Sequence, residues 1–301
     1  MWQPEPDWHP LPGGAGPSTL GVWRTALGGR PVVVKRLLRP DPREDAALLA
    51  PHSHAYWRRE ADVLLTGLVL HTRGLRTTAA AVEEDEEGIT LTQDWVEDDA
   101  LPGLFVAMAL GRFAGSELPR PRFLARDLLR DRLALAERRG GWSTLARTTL
   151  ADVAAHLWSR RGVLLDLVDA LPQVPAHGDP TRANLRGRHG DDVVALDWAV
   201  LGTAGVGTDL GLYALGARED LEPLVEAYRM GLPPGLADLD QVLLGARVAA
   251  VVTALGRADW ALSRVAGGEG ALAGKFRHPA VAPHLRALQR QHDALEALLE
   301  V

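Results

Sequence analysis

The sequence predicts an α+β protein in two lobes, a small β-rich one over residues 1–97 and a larger, mainly helical one over residues 98–301. Three observations predict it. The first hundred residues carry short β-branched or alternating segments punctuated by Gly and Pro, and the spacing from Asp98 onward is mostly helical. A compact Gly-, Asp- and Val-rich stretch, Val174 to Leu212, interrupts the helices near two thirds of the length. At 301 residues and 47% hydrophobic, the chain can bury a substantial core.

In order along the chain, Leu11 to Thr25 reads as a Gly/Ser loop running into a strand. Gly28-Gly29 is a hairpin turn, and Pro31-Val-Val-Val-Lys35 is a strand that ends at its lysine. Tyr56 to Leu68 has helical spacing, with Tyr56, Val63, Leu64 and Leu68 sharing a face. The acidic turn Glu83 to Gly88, between strand-like Thr77 to Val82 and Ile89 to Val96, reads as a solvated hairpin tip. Pro121 to Arg139, Thr148 to Leu171, Glu222 to Met230, Leu236 to Val265 and Pro283 to Leu299 read as helices, and Val193 to Leu196 as a strand. The last helix is expected to pack on the helical lobe rather than form a dimer seam, so a monomer or weak dimer is expected.

Composition excludes several classes. A formal charge of −6 lacks the concentrated basic surface of a nucleic-acid binder. The absence of cysteine rules out disulfides, thiolate metal sites and cysteine nucleophiles. The N-terminus has neither the basic patch nor the apolar run of a signal peptide, and the chain is read as cytoplasmic. Val242 to Val265 is interrupted by Arg247, Arg257, Asp259 and Arg264, which suits a buried helix and not a membrane span. His52 and His54 have no third ligand nearby in sequence and are read as exposed.

The chemistry concentrates in His177-Gly-Asp-Pro-Thr-Arg-Ala-Asn184-Leu, followed by Asp197-Trp198. Phosphoryl transfer needs a carboxylate to accept the proton of the attacking hydroxyl and a neutral oxygen ligand for magnesium. It also needs a second carboxylate that bridges the metal to the β- and γ-phosphates. Asp179, Asn184 and Asp197 supply these groups in that order.

These residues, with the downstream Thr208-Asp209-Leu210, resemble the aminoglycoside phosphotransferases and their choline-kinase-like relatives. The resemblance implies the bilobal protein-kinase-like fold and an ATP- and magnesium-dependent transfer to an alcohol, with GTP as an alternative donor. It makes Asp179 the base, Asn184 and Asp197 the metal ligands, His177 a structural residue of the loop, and Asp209 a helix-start cap that ties the loop down. The same fold needs a lysine on the third strand to hold the α- and β-phosphates and a helical glutamate to orient it. Lys35 and Glu60 fill those roles, with Asp62 as the fallback. Lys35 and Lys275 are the only lysines among 33 basic residues, which marks position 35 as a place for a compact ammonium. Gly13, Gly14 and Ser18 are expected over the nucleotide phosphates, although no Walker G-x-x-x-x-G-K-[ST] pattern is present. Backbone groups of Gln93, Asp94 and Val96 are expected to meet adenine.

The departures from the protein kinases also carry meaning. Gly178 stands where those enzymes place the Arg that senses a phosphorylated activation loop, and no A-P-E segment follows Asp197, so activity is expected to be constitutive. Thr181 occupies the position two after the base, leaving Arg182 as the nearest cation for a phosphate contact. Residues Glu117 to Arg139 hold seven arginines against four carboxylates. If they face the cleft, a neutral or anionic acceptor is favoured over a polycation. The expected acceptor is a small molecule with a hydroxyl group, of antibiotic, sugar or nucleoside type. The alternatives are a precursor peptide and, with no catalysis at all, a nucleotide-binding module.

Overall fold

The computed structural model describes residues 2–12, 16, 18–41, 43, 46–139, 156–265, 279, 281–283 and 286. Gly28 and Gly29 both adopt positive φ, 57° and 79°, the backbone shape that closes a two-residue hairpin and favours glycine. They join β2 (Thr19–Leu27) to β3 (Arg30–Leu38). The run Val32-Val33-Val34 lies in β3, where branched side chains pack well on a pleated surface. Lys35 is mid-strand rather than at its end, because Arg36, Leu37 and Leu38 continue the ladder onto Thr90, Ile89 and Gly88. With β1 (His9–Pro10), β5 (Ala80–Glu84) and β6 (Gly88–Asp94), these strands form an antiparallel sheet of order β1-β2-β3-β6-β5. The Gly-rich segment therefore connects β1 to β2; Gly13 and Gly14 themselves lie outside the described residues.

After α1 (Ala46–Leu49), α2 (Arg59–Thr66) lays Ala61 against Leu37, Ile89 and Leu91 of the sheet. It is shorter than the span 56–68. Tyr56 falls in a turn before it, and Gly67, at φ 63°, caps it by donating to the carbonyls of Leu64 and Val63. The acidic hairpin tip is anchored and not merely solvated. Asp85 accepts from the buried Arg36 (2.7 Å), and Glu84 accepts from Arg58 (2.6 Å) and Arg39 (3.1 Å).

The helical lobe is built around α3 (Gly103–Ala114), an apolar helix that the sequence reading had not separated from the linking segment. Its Val106, Leu110 and Phe113 share one core with Trp198, Leu210 and Tyr228. Next comes α4 (Leu128–Arg139), which starts at Leu128 and not at Pro121. The backbone of Ala125 is instead bonded to Leu201 O and to the Thr203 amide, so this stretch pairs with a strand and cannot wind. Helix α5 (Arg161–Asp169) falls inside the expected span 148–171, whose first part lies outside the described residues, as does nearly all of the helix expected at 283–299.

Two small ladders then bracket the chemical motif. β7 (Gln173–Ala176) pairs antiparallel with β10 (Gly202–Gly205), fixing the chain just before His177 and just after Leu201. Between them β8 (Leu185–His189) and β9 (Asp192–Ala195) form a hairpin, and β4 (Leu75–Arg76) runs parallel to β9. Then follow α6 (Thr208–Ala214), α7 (Leu221–Gly231) and α8 (Leu239–Val265). The stretch Leu239–Asp259 of α8 is long and apolar enough to cross a membrane. Its Val242 and Ala246 are buried in one cluster and its Val248, Val251, Val252 and Leu255 in another, so its apolar surface is consumed within the core.

Candidate active site

The loop from His177 to Asn184 takes its shape from local bonds. Gly178 adopts φ 83°, and the Thr181 amide turns back to Asp179 O (2.8 Å). The amides of Asn184 and Leu185 then donate to Thr181 O. Leu196 N–H donates to Asn184 O (2.8 Å), which brings the segment carrying Asp197 beside the loop. His177 is fully buried, and its ring lies 4.7 Å from that of Trp198, tilted by 43°. Its Nε2 lies 3.0 Å from Leu196 O and its Nδ1 accepts from the Asp179 amide at 3.3 Å, contacts that assign the Nε2-protonated tautomer. The ring thus bridges the loop to the segment before Asp197.

Asp209 ties the loop down, though not by capping its own helix. Gly207 occupies the N-cap of α6, and the buried Asp209 carboxylate accepts from the amides of His177 (2.6 Å) and Gly178 (3.0 Å). Burial pushes this carboxyl above its usual value against the pull of His177 and the two amides.

Around the metal-ligand candidates the structure joins both lobes. Lys35 Nζ donates to Glu60 Oε2 at 2.7 Å and to Asp197 Oδ1 at 2.9 Å. Burial alone would lower the lysine pKa, but the two carboxylates reverse this and raise it, so the ammonium stays charged. Burial likewise lifts Glu60, whereas in Asp197 the neighbouring ammonium overcomes burial and holds the carboxyl below its usual value. Asp62, the fallback partner, is instead paired with Arg58 at 2.9 Å. Asp197 is itself a backbone outlier at φ 59°, a left-handed conformation that costs a non-glycine residue about 1–2 kcal/mol.

Asn184 Nδ2 donates to Asp179 O (2.9 Å) and Oδ2 (3.1 Å), which leaves its Oδ1 to act as a ligand. With Asp197 this is a hard, oxygen-only donor set of the kind magnesium takes. Asp179, Asn184, Asp197, Lys35 and Glu60 all line one cavity of about 590 Å³, together with Gly16 and Ser18 of the loop above. The side chains of Asp179 and Asp197 are 36% and 37% exposed, while that of Glu60 is 2% exposed.

Other expected contacts fall outside this cavity. Arg182 is exposed and does not line it. Gln93 is buried and donates to Thr78, and the amides of Asp94 and Trp95 already serve Ala79 O and Pro31 O. The Asp94 amide therefore has no bond to spare for adenine, and Val96 is the first expected contact beyond the paired strand.

Three residues that sequence reasoning did not single out complete the site. Arg59, fully buried, donates to the carbonyls of Pro51, Ser53, His54, Phe123 and Ala199. It locks the helix bearing Glu60 to the chain just past Asp197. Arg132 Nη2 donates to Gly178 O (2.6 Å), and Arg257 Nη2 stands 3.7 Å from Asp179 Oδ1. The arginine-rich segment is thus divided. Arg132 and Arg138 line the cavity with Leu135, at a three-residue spacing that puts all three on one helix face. By contrast, Arg130 pairs outside with Asp166 and Asp169, and Arg120 borders a separate groove.

Gly178 offers a direct check of the loop geometry. A Cβ there would sit 2.5 Å from Val200 O in addition to requiring a positive φ. Gly178→Ala is expected to cost at least about 1–2 kcal/mol from the backbone alone, measured as a lower unfolding midpoint.

No protein-family model matches the sequence, and no curated protein matches it by sequence. The fold does match solved structures. A choline/ethanolamine kinase family protein from Mesorhizobium loti superposes with a TM-score of 0.52 at 16% identity, covering 94% of this chain and 92% of that one. An amicoumacin kinase in complex with AMP-PNP, Ca2+ and Ami gives 0.59 at 12% identity, covering 97% and 90%. The GDP complex of an aminoglycoside 2'-phosphotransferase gives 0.55 at 11% identity, covering 95% and 92%. The chain therefore has the bilobal protein-kinase-like fold over nearly its whole length.

Proposed function

We propose that this chain is a phosphotransferase that moves the γ-phosphoryl group of ATP, with magnesium, to a hydroxyl group of a small molecule. The observation that carries the reading is the Lys35–Glu60–Asp197 ion-pair chain, which opens onto the same cavity as Asp179 and Asn184. Nucleotide-bound kinases of the same fold support it, and a cavity of about 590 Å³ suits a small acceptor.

In this reading Asp179 accepts the proton of the acceptor hydroxyl as its oxygen bonds to the γ-phosphorus. The bond from that phosphorus to the β,γ-bridging oxygen breaks and ADP leaves. Lys35, oriented by Glu60, holds the α- and β-phosphates. His177 and Asp209 keep the Asp179 loop in place, and Gly16 and Ser18 close over the phosphates. Magnesium, held by Asn184 Oδ1 and Asp197, would neutralise the β- and γ-phosphate charge.

The test begins with release of ADP from ATP, or of GDP from GTP, with magnesium, and with thermal stabilisation by AMP-PNP. Lys35→Arg is expected to lower kcat/KM by about 10²- to 10³-fold, the usual cost of removing one placed electrostatic stabiliser. The planar guanidinium cannot repeat two point contacts at 2.7 and 2.9 Å. Wild-type protein that neither turns over nor is stabilised by nucleotide would sink the proposal.

A further inference from the structure

The chain ahead of the glycine-rich loop crosses the far face of the sheet. Lys35 and Leu37 of β3 line the cavity, so Arg36 between them points to the opposite side. There the Trp2 ring covers the buried Arg36 guanidinium at 5.1 Å, and the Trp2 amide donates to Glu87 Oε2 beside the β5–β6 hairpin tip. Trp2, Trp8 and Trp23 then form a cluster of three rings, their centroids 5.4 to 6.1 Å apart and their planes tilted by 50 to 54°, the arrangement that attractive aromatic pairs adopt. The segment ends by pairing β1 with β2, Pro10 opposite Trp23, and the Leu11 amide donates to Val22 O at 2.8 Å.

Trp23 carries the cluster to the loop. Its ring lies across Gly21, where a Cβ would come 2.5 Å from the ring's Cη2. The β2–β3 ladder is irregular at this place, its register shifting between Thr19 and Gly21. A strand is weak at a glycine, which has no side chain to pack, and here the indole supplies the missing contact. Ser18 and Thr19, just before Gly21, line the cavity with Lys35. Thr19 N–H donates to Gly16 O, and Leu38 N–H donates to Ser18 O. The chain entering the loop at Leu11 and leaving it at Thr19 is thus fixed on the strand that carries Trp23.

Resting on the phosphotransferase reading, we infer that Trp8 and Trp23 are positioning residues for the nucleotide phosphates, holding the strand end from which Gly16 and Ser18 close over the cavity. Neither indole lines the cavity itself. Their action runs through Gly21 and the loop, so it falls on the phosphates and spares the base.

Two measurements test this. In nucleotide-free protein, hydrogen exchange at the Leu11, Thr19 and Leu38 amides is expected to be at least fivefold faster in Trp8→Ala than in wild type. Calorimetric titration with magnesium is expected to show AMP-PNP binding at least fivefold weaker in Trp8→Ala, with adenosine affinity unchanged. Trp8→Phe, which keeps a ring, is expected to recover most of the loss. Gly21→Ala, whose methyl group displaces the Trp23 ring, is expected to repeat it with Trp8 intact, and it keeps the test available if Trp8→Ala does not fold. The inference alone is overturned if wild type binds AMP-PNP and the folded variants bind it equally well, or if exchange at the three amides is unchanged. Equal weakening of AMP-PNP and adenosine also overturns it, since that pattern marks a general loss of structure. Wild type that binds no AMP-PNP sinks the phosphotransferase reading and takes this inference with it.

Discussion

Asp179→Asn is expected to lower turnover by about 10²- to 10⁴-fold, the range for a positioned general base, while nucleotide affinity stays unchanged. The amide keeps the size of the carboxylate, and the loop around it is held by other bonds, from Asp209 to His177 and Gly178 and from Asn184 to Asp179 O. What is lost is the proton acceptor itself. Asp197→Asn should behave differently, because Asp197 touches Lys35 and is proposed as the second metal ligand. Affinity for magnesium-nucleotide should fall there together with turnover. Steady-state kinetics alongside calorimetric titration of AMP-PNP separate the two, and equal, mild effects from both changes would count against the assigned roles.

Arg59→Met is expected to destabilise the protein by at least about 3 kcal/mol, since five carbonyls lose a charged donor and each such bond contributes roughly 1.5–3 kcal/mol. For a chain of this size that corresponds to a fall of roughly 6–12 °C in the unfolding midpoint, at about 2–4 °C per kcal/mol. Burial draws the guanidinium pKa down only to about 10, so it remains charged at neutral pH and the carbonyls are bonded to a cation. Arg59→Lys, with one compact ammonium for five acceptors, should recover only part of the loss. A midpoint unchanged within a degree would show that the carbonyls find water instead.

The convergence of Asp179, Asn184 and Asp197 was legible in the sequence because its spacing is set locally. Asp179 and Asn184 belong to one turn, and a short hairpin returns the chain to Asp197, so linear distance constrains spatial distance. Lys35 stood out by composition, as an ammonium in a chain that otherwise uses guanidinium. The arginines were opaque for the opposite reason. Whether Arg59, Arg132 or Arg257 is buried, aimed at the cavity or solvated depends on which helix face packs where, and a long cationic side chain has no periodic signature of its own. The seven arginines between 117 and 139 looked alike as letters, yet Arg130 and Arg132 go to opposite sides of α4. Helix starts were misread where backbone groups had a competing partner, as at Ala125, whose bonds to Leu201 and Thr203 leave no room for a helical turn. The Asp209 carboxylate was expected both to cap its own helix and to tie the loop down; it accepts from the loop amides of His177 and Gly178 and leaves the cap position to Gly207, a choice made by tertiary position alone.

The amine of residue 35 touches acidic oxygens that arrive from opposite halves of the molecule, one of them 162 positions away along the polymer. Swinging those halves apart must separate unlike charges in a poorly hydrated setting, so gaping is resisted even before any substrate arrives. In the proposed reading a triphosphate would have to replace an interaction the fold already contains, and part of its attraction to that amine would be cancelled by what it displaces.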